Sequence, residues 1–383
     1  MAEATQTKTT IAIDPVTRIE GHLKAEVVVE NGKVVDAKLT GGMYRGFESI
    51  LRGRHPRDAA QIVQRICGVC PTAHATAASI ALEKASGTAV PSNGRATRNL
   101  ILGANYLQSH ILHFYHLAGQ DFIQGPDTAP FMPRYAKPDL RLPPAINAVG
   151  VDQYVEALEV RAVCHEMVAL FGGRMPHVHG ILAGGAAEIP TKEKLVEYAA
   201  RFKKVRKFVE EKYLPVVYLV GSQYKDLGAF GQGYRNALCV GVFPLDDEGK
   251  EFVFKAGAYQ DGKDMPFDVK RVTEDVKFSW FADSTSGKPF TKGENVLEVD
   301  KKGAYSFVKA PLYNGKPMEV GPLARMWVNN KPISSIGQKL FKEYFGLDVK
   351  NFRDMGEDLA SCWTSSSASL RKCVPTRRRS PCR

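Results

Sequence analysis

The chain is 383 residues long, with 52 Lys and Arg against 41 Asp and Glu for a net charge of +11, seven cysteines, and 44% hydrophobic and 24% charged residues. At about 100–200 residues per domain this is two or three domains' worth of chain, and the balance excludes collagen-like, disordered and small disulfide-scaffold classes. An odd cysteine count at wide spacing points away from a disulfide framework and toward thiol or metal chemistry.

Met1 to Thr10 is polar and lacks the apolar stretch of a secretory signal. No run approaches about 18 uninterrupted apolar residues, so no transmembrane helix is expected. The first predicted unit is a β-hairpin. Leu23, Ala25, Val27 and Val29 alternate with Lys24, Glu26, Val28 and Glu30, Asn31-Gly32 supplies a turn with positive φ, and Val34 to Leu39 returns. A Gly-rich connection from Gly41 to Glu48 lets the backbone approach a neighbour closely.

From Asp58 the pattern turns helical. One helix runs through Ile62, Val63 and Ile66 and breaks near Gly68 and Pro71; a second runs from about Thr72 through Leu82. A longer one covers roughly Arg95 to Phe122, with Leu100, Ile101, Ala104, Leu107, Ile111, Leu112 and Tyr115 recurring at three and four. Another spans Gln153 to Phe171 and stops at Gly172-Gly173, and the next follows Pro190 with Leu195, Tyr198, Phe202, Val205 and Phe208 on one stripe. Broad apolar faces on these helices predict a central helical bundle. From about Gly221 to Asp300, short apolar runs alternate with turn chemistry such as Asp247-Glu248-Gly249 and Asp261-Gly262, predicting small strands in a peripheral lobe.

The expected fold class is therefore α+β. Residues 1–57 form the N-terminal hairpin and Gly-rich segment, 58–220 the bundle, 221–358 an α+β lobe with a return segment, and 359–383 an aberrant tail. That tail carries Arg371, Lys372, Arg377, Arg378, Arg379 and Arg383, no acid, many serines, and Cys362, Cys373 and Cys382. Taking its six charges from the eleven leaves +5 for the rest, which removes most of the basis for a nucleic-acid or membrane-surface reading.

The segment Arg65-Ile66-Cys67-Gly68-Val69-Cys70-Pro71-Thr72-Ala73-His74 carries the chemistry. Two cysteines separated by two residues aim both sulfurs at one metal, Gly68 permits the tight backbone, and His74 lies one helical turn beyond Cys70. The spacing alone also suits half a zinc ribbon or a redox dithiol. Cys164 and Cys239 offer no partner motif for zinc, and the helical flanks lack the α/β setting of a thioredoxin-like pair. Glu20 and Glu48, taken alone, are ordinary surface or cap carboxylates. His110, His113 and His116 at i, i+3 and i+6 read as packed beside the core, as do Cys164-His165 and His177-x-His179.

From about Thr10 to Glu357 the sequence resembles the large, nickel-binding subunit of [NiFe] hydrogenases, most of all the selenium-containing [NiFeSe] branch. The resemblance is carried by Asp14-Pro15-Val16-Thr17-Arg18-Ile19-Glu20-Gly21-His22, Arg45-Gly46-Phe47-Glu48, the Arg65 to His74 segment, Ser109 to His116, Gly172 to His177, and Gly321-Pro322-Leu323-Ala324-Arg325. It implies that Cys67 is a terminal nickel ligand, that Cys70 bridges nickel and iron, and that His74 donates its ring N–H to the Cys70 sulfur. It implies too that Glu20 passes protons and that Glu48 holds a separate magnesium or iron ion. Ser109, where many standard members carry Asp, favours the [NiFeSe] branch; His179 stands where that branch often has Gln.

The implied reaction is reversible heterolytic cleavage of H2 at a nickel–iron centre, whose iron also carries carbon monoxide and cyanide. Electrons would leave through iron–sulfur clusters on a small partner subunit to a multihaem c-type cytochrome, since this chain has no cysteine pattern for such clusters. Periplasmic location is implied, with export on the small subunit's signal. Family members carry a second motif near the C-terminus, Asp-Pro-Cys-x-x-Cys-x-x-His, with selenocysteine for the first Cys in the [NiFeSe] branch. This sequence lacks that motif, and the likeness stops abruptly near Glu357. The expectation is a truncated chain, inactive as written, with a frameshifted tail. Rival expectations are an H2-sensing regulatory relative and a folded non-catalytic fragment binding zinc or no metal. The related quinone-site subunit of respiratory complexes lacks the nickel-ligand pair, so Cys67 and Cys70 count against it.

Overall fold

The computed structural model describes residues 8–356 apart from 135–137, 231–232, 247–248, 290 and 293. The tail with Cys362, Cys373 and Cys382, and the turn at 247–248, lie outside the described residues. The chain opens with β1 (Lys8–Ile13), β2 (Leu23–Glu30) and β3 (Lys33–Gly41), an antiparallel sheet in the order β1-β2-β3. The β2–β3 hairpin pairs Glu30 with Lys33, so Asn31 (φ 50°) and Gly32 (φ 75°) alone make the turn, as the Asn-Gly signal predicts. The sequence reading passed over β1.

Helices follow as α1 (Phe47–Leu51), α2 (Ala59–Val63), α3 (Pro71–Ser86), α4 (Ser92–Leu112) and α5 (Pro144–Gly172). The hairpin β4 (Ile181–Leu182) and β5 (Gly185–Ala186) precedes α6 (Lys192–Phe208) and α7 (Leu214–Gln223). Pro71 sits in the first turn of α3, where its missing N–H costs no hydrogen bond, and Gly87 closes the helix at φ 65°. Past Leu112 the periodic apolar pattern continues, yet the backbone widens into a π-type turn over His113–Ala118. α5 begins nine residues before Gln153, at Pro144, and at 29 residues is about 43 Å long.

One apolar core gathers Ile101, Ala104 and Ile111 of α4, Ala157, Val160, Met167, Val168 and Phe171 of α5, Val205 and Phe208 of α6, and Val216 and Val220 of α7. This is the predicted bundle. Six short strands lie beyond it: β6 (Ala237–Cys239), β7 (Val242–Pro244), β8 (Phe252–Phe254), β9 (Gly257–Gln260), β10 (Lys263–Met265) and β11 (Val272–Asp275). Asp261-Gly262 makes the turn between β9 and β10 at φ 54° and 79°. The chain finishes with β12 (Ala310–Tyr313), β13 (Lys316–Pro317), α8 (Pro322–Asn329) and α9 (Ser335–Phe345). A second core joins Tyr218 of α7 to Ala324, Trp327, Leu340, Phe341 and Phe352. The expected division between bundle and lobe after residue 220 thus falls inside α7, whose side chains enter both cores. Among the described residues no helix is long and apolar enough to cross a membrane.

Candidate metal centre

Cys67 and Cys70 bracket a change of backbone. A short 3₁₀ turn over Gln64–Ile66 ends at Cys67 in extended conformation (φ −148°, ψ 131°), and Cys70 then caps the N-terminus of α3. The loop folds back on itself, so the Cys70 N–H donates to Cys67 Sγ at 3.3 Å. One turn into α3, His74 Nε2 lies 3.6 Å from Cys70 Sγ. Burial lowers the imidazole pKa and so favours the uncharged ring.

The two thiols share a proton unequally. Cys67 is drawn down to about 6, chiefly because the Cys70 thiol hydrogen-bonds to its sulfur, with the backbone N–H groups of Cys70 and Val69 adding to the effect. Cys70 moves upward for the reciprocal reason, reinforced by burial. The pair therefore loses its first proton more readily, and its second less readily, than an isolated thiol would. Thiolate is the metal-binding form of sulfur.

Glu20 arrives from the loop between β1 and β2, its Oε2 3.8 Å from Cys67 Sγ. That loop is pinned by Arg18, which donates to the Leu117 carbonyl and the Asp121 carboxylate just after the π-type turn. Glu20, Cys67, Cys70 and His74 are thus strung together pairwise. Glu48, exposed in the first turn of α1, makes no hydrogen bond or ion pair among the described residues. Among those residues no three His, Cys, Asp or Glu side chains converge tightly enough to hold an ion by themselves. Two adjacent sulfurs still suit a soft metal that takes its further ligands from elsewhere.

Most of the other candidates are packed, but His110 and His179, read from the sequence as packed, are exposed. Cys164 is fully buried in α5, where burial pushes its thiol up to about 12, and Cys239 is buried in β6. His116 Nε2 lies 3.2 Å from the Tyr154 carbonyl, with its ring edge-on to the Tyr154 ring at 4.8 Å. His113 is lowered by burial; His110 is exposed in α4 and is lowered by desolvation first and then by the Arg325 and His113 charges. Sequence reasoning missed the side chains that hold the loop. Arg45 donates to the carbonyls of Ile66 (2.9 Å) and Arg65, and Gln108 reaches Val69 from α4. A polar residue on the buried stripe of α4 was the signal for Gln108.

Comparison with known proteins fits this arrangement. A family model described as nickel-dependent hydrogenase matches residues 45–127 and 122–363, and a HoxL-like model matches 10–40. The periplasmic [NiFeSe] hydrogenase large subunit of Desulfomicrobium baculatum is 60% identical over 359 residues, covering 91% of this chain and 70% of its own. The hydrogenase-2 large chain of Escherichia coli is 33% identical, covering 83% and 67%. Among solved structures, the Ni-Fe-Se hydrogenase of D. vulgaris Hildenborough superposes with a TM-score of 0.90 at 66% identity, over 96% of this chain and 78% of that one. With the paired sulfurs lying within the matched span and the whole fold shared, the chain belongs to the nickel-dependent hydrogenase large-subunit family, close to its [NiFeSe] members.

Proposed function

We propose that Cys67 and Cys70 form half of a nickel–iron centre that cleaves H2 reversibly into two protons and two electrons. Cys67 would be terminal on nickel, and Cys70 would bridge nickel and iron, a role open to a thiolate because it has several lone pairs. When bound, the metal pair supplies a soft, redox-active site that polarises H2 and accepts its electrons. The chain's own groups handle the proton. Cys67 Sγ is the base, oriented by the Cys70 N–H that donates to it. Glu20 Oε2, at 3.8 Å, takes the proton onward toward solvent. His74 Nε2–H withdraws charge from Cys70 Sγ and fixes its orientation. Glu48 would hold a separate magnesium or iron ion.

The observation that carries this reading is the Glu20–Cys67 contact, which joins segments 47 residues apart at the sulfur that lies lowest in pKa. Carbon monoxide and cyanide on iron, a small iron–sulfur subunit as electron outlet, a multihaem cytochrome acceptor and a periplasmic location follow from the family reading; the Desulfomicrobium relative is named periplasmic. The remaining thiolates belong to the second Cys-x-x-Cys motif, so the centre is expected to form only where those residues are supplied. The test is nickel and iron analysis, with H2-dependent dye reduction, on the chain assembled with that motif and its small subunit. Cys67→Ser and Cys70→Ser should each abolish nickel retention; an assembled wild type holding neither metal would refute the proposal.

A further inference from the structure

Gln108 is fully buried in α4, and both ends of its amide are engaged. Nε2 donates to the Val69 carbonyl at 3.0 Å and to Ser109 Oγ at 2.9 Å. Oε1 accepts from Arg161 Nε at 3.1 Å and faces His165 Nε2 at 3.4 Å, both on α5. Arginine has no acceptor, so Arg161 fixes which end of the amide is oxygen, and the other end must offer its hydrogens to Val69. From the opposite side, Arg45 holds the carbonyls of Arg65 and Ile66. With the carbonyls at 65, 66 and 69 tied outward, the Cys70 N–H is left pointing at Cys67 Sγ.

We propose that Gln108 is a positioning residue for the two thiolates, setting the separation of Cys67 and Cys70 through the Val69 carbonyl, with Arg161 and His165 locking its amide. This rests on the reading of Cys67 and Cys70 as metal ligands. The two ends of the amide separate positioning from mere bracing. A residue that only braced α4 against α5 would need its oxygen; one that positions the loop needs its nitrogen.

Gln108→Glu keeps the size and strengthens the acceptor toward Arg161, but sets an oxygen against the Val69 carbonyl. Gln108→Leu removes both contacts. In the full chain, hydrogen–deuterium exchange over residues 65–70 should quicken about tenfold in both variants, while exchange in α5 stays at the wild-type rate in Gln108→Glu. Co2+ added as a probe should give a sulfur-to-cobalt absorption in wild type, with affinity about tenfold weaker in both variants, in the range seen when groups orienting a metal ligand are removed. If Gln108→Leu does not fold, the isosteric Gln108→Glu carries the test. Wild-type loop exchange and cobalt affinity in Gln108→Glu would overturn the proposal and reduce Gln108 to a brace. A wild-type chain with no sulfur-to-cobalt band would instead overturn the ligand reading, with loop exchange still deciding whether Gln108 holds Val69.

Discussion

Helices α3 and α4 run antiparallel, and their two ends solve opposite problems. At the closed end Glu83 and Arg98, both buried, meet in a two-point ion pair at 2.5 and 3.2 Å. Glu83 Oε1 also accepts the Gly184 N–H at 2.8 Å, and Arg98 donates to the carbonyls of Leu182 and Gly185. Every charge there is answered, and the β4–β5 hairpin is tied down with it. At the open end stand His74 and the sulfurs of Cys67 and Cys70, with lone pairs to spare, beside a buried Thr72 hydroxyl with no partner among the described residues. One end holds the fold, and the other is left available for chemistry, so mutations at the two ends should separate stability from metal binding.

The largest expected effect comes from breaking the closed end. Arg98→Met leaves Glu83 buried without its counter-charge and should cost about 3–5 kcal/mol, read as a fall in the urea midpoint, whereas replacing both partners by apolar residues should recover much of it. A drop below about 1 kcal/mol for the single change would erase the contrast. Next is Gly94, where an added Cβ would stand 3.2 Å from Gly185 Cα and 3.5 Å from Ala186 N. Gly94→Ala should cost about 1–3 kcal/mol, because the neighbours it meets are backbone and yield poorly.

At the open end the direction reverses. Cys67→Ser and Cys70→Ser should leave the metal-free chain within about 1 kcal/mol of wild type in the same urea titration, since neither side chain is buried in the core. A fall as large as that of Arg98→Met would mean the two ends are not independent.

The smallest effect calibrates the buried pair against an exposed one. Arg353 pairs with Asp264 through both carboxylate oxygens at 2.5 and 2.9 Å, but the Asp264 side chain is 61% exposed. Asp264→Asn should cost less than about 1 kcal/mol. The Arg353 guanidinium holds the Asp264 carboxyl below its usual range. Its contribution is therefore present above the ordinary carboxylate pKa and disappears as pH falls through the lowered one. Stability curves for wild type and Asp264→Asn should converge in acid.

What could be read from the sequence was local. Asn31-Gly32 between alternating strands, the break at Pro71 before α3, and Gly173 ending α5 each act through neighbouring residues, and each is where the chemistry of those residues puts it. β1 was passed over because Lys8–Ile13 is mostly exposed and becomes a strand only by pairing with β2, across the Glu20 loop. The early part of α5 includes Gly150, which packs against Ile123 so closely that an added Cβ would stand 2.7 Å from its Cδ1. In the metal centre, Cys67, Cys70 and His74 lie within eight residues and were legible as a group. Glu20 was legible only through family resemblance, because nothing in spacing brings a carboxylate from a β1–β2 loop to that sulfur. Gln108 stood out only as a polar residue on a buried stripe: of its partners, the Val69 carbonyl and the α5 side chains Arg161 and His165 lie far along the chain and leave no periodic trace.

α7 has a consequence for how this chain can change over generations. Val216 and Val220 enter one core while Tyr218, between them, enters the other. Adding or deleting a single residue ahead of this stretch would rotate it by about 100° and turn both sets of side chains away from the cores they fill. Surface connections elsewhere tolerate insertions far more readily. The identities along α7 are open to conservative exchange, but its length is not.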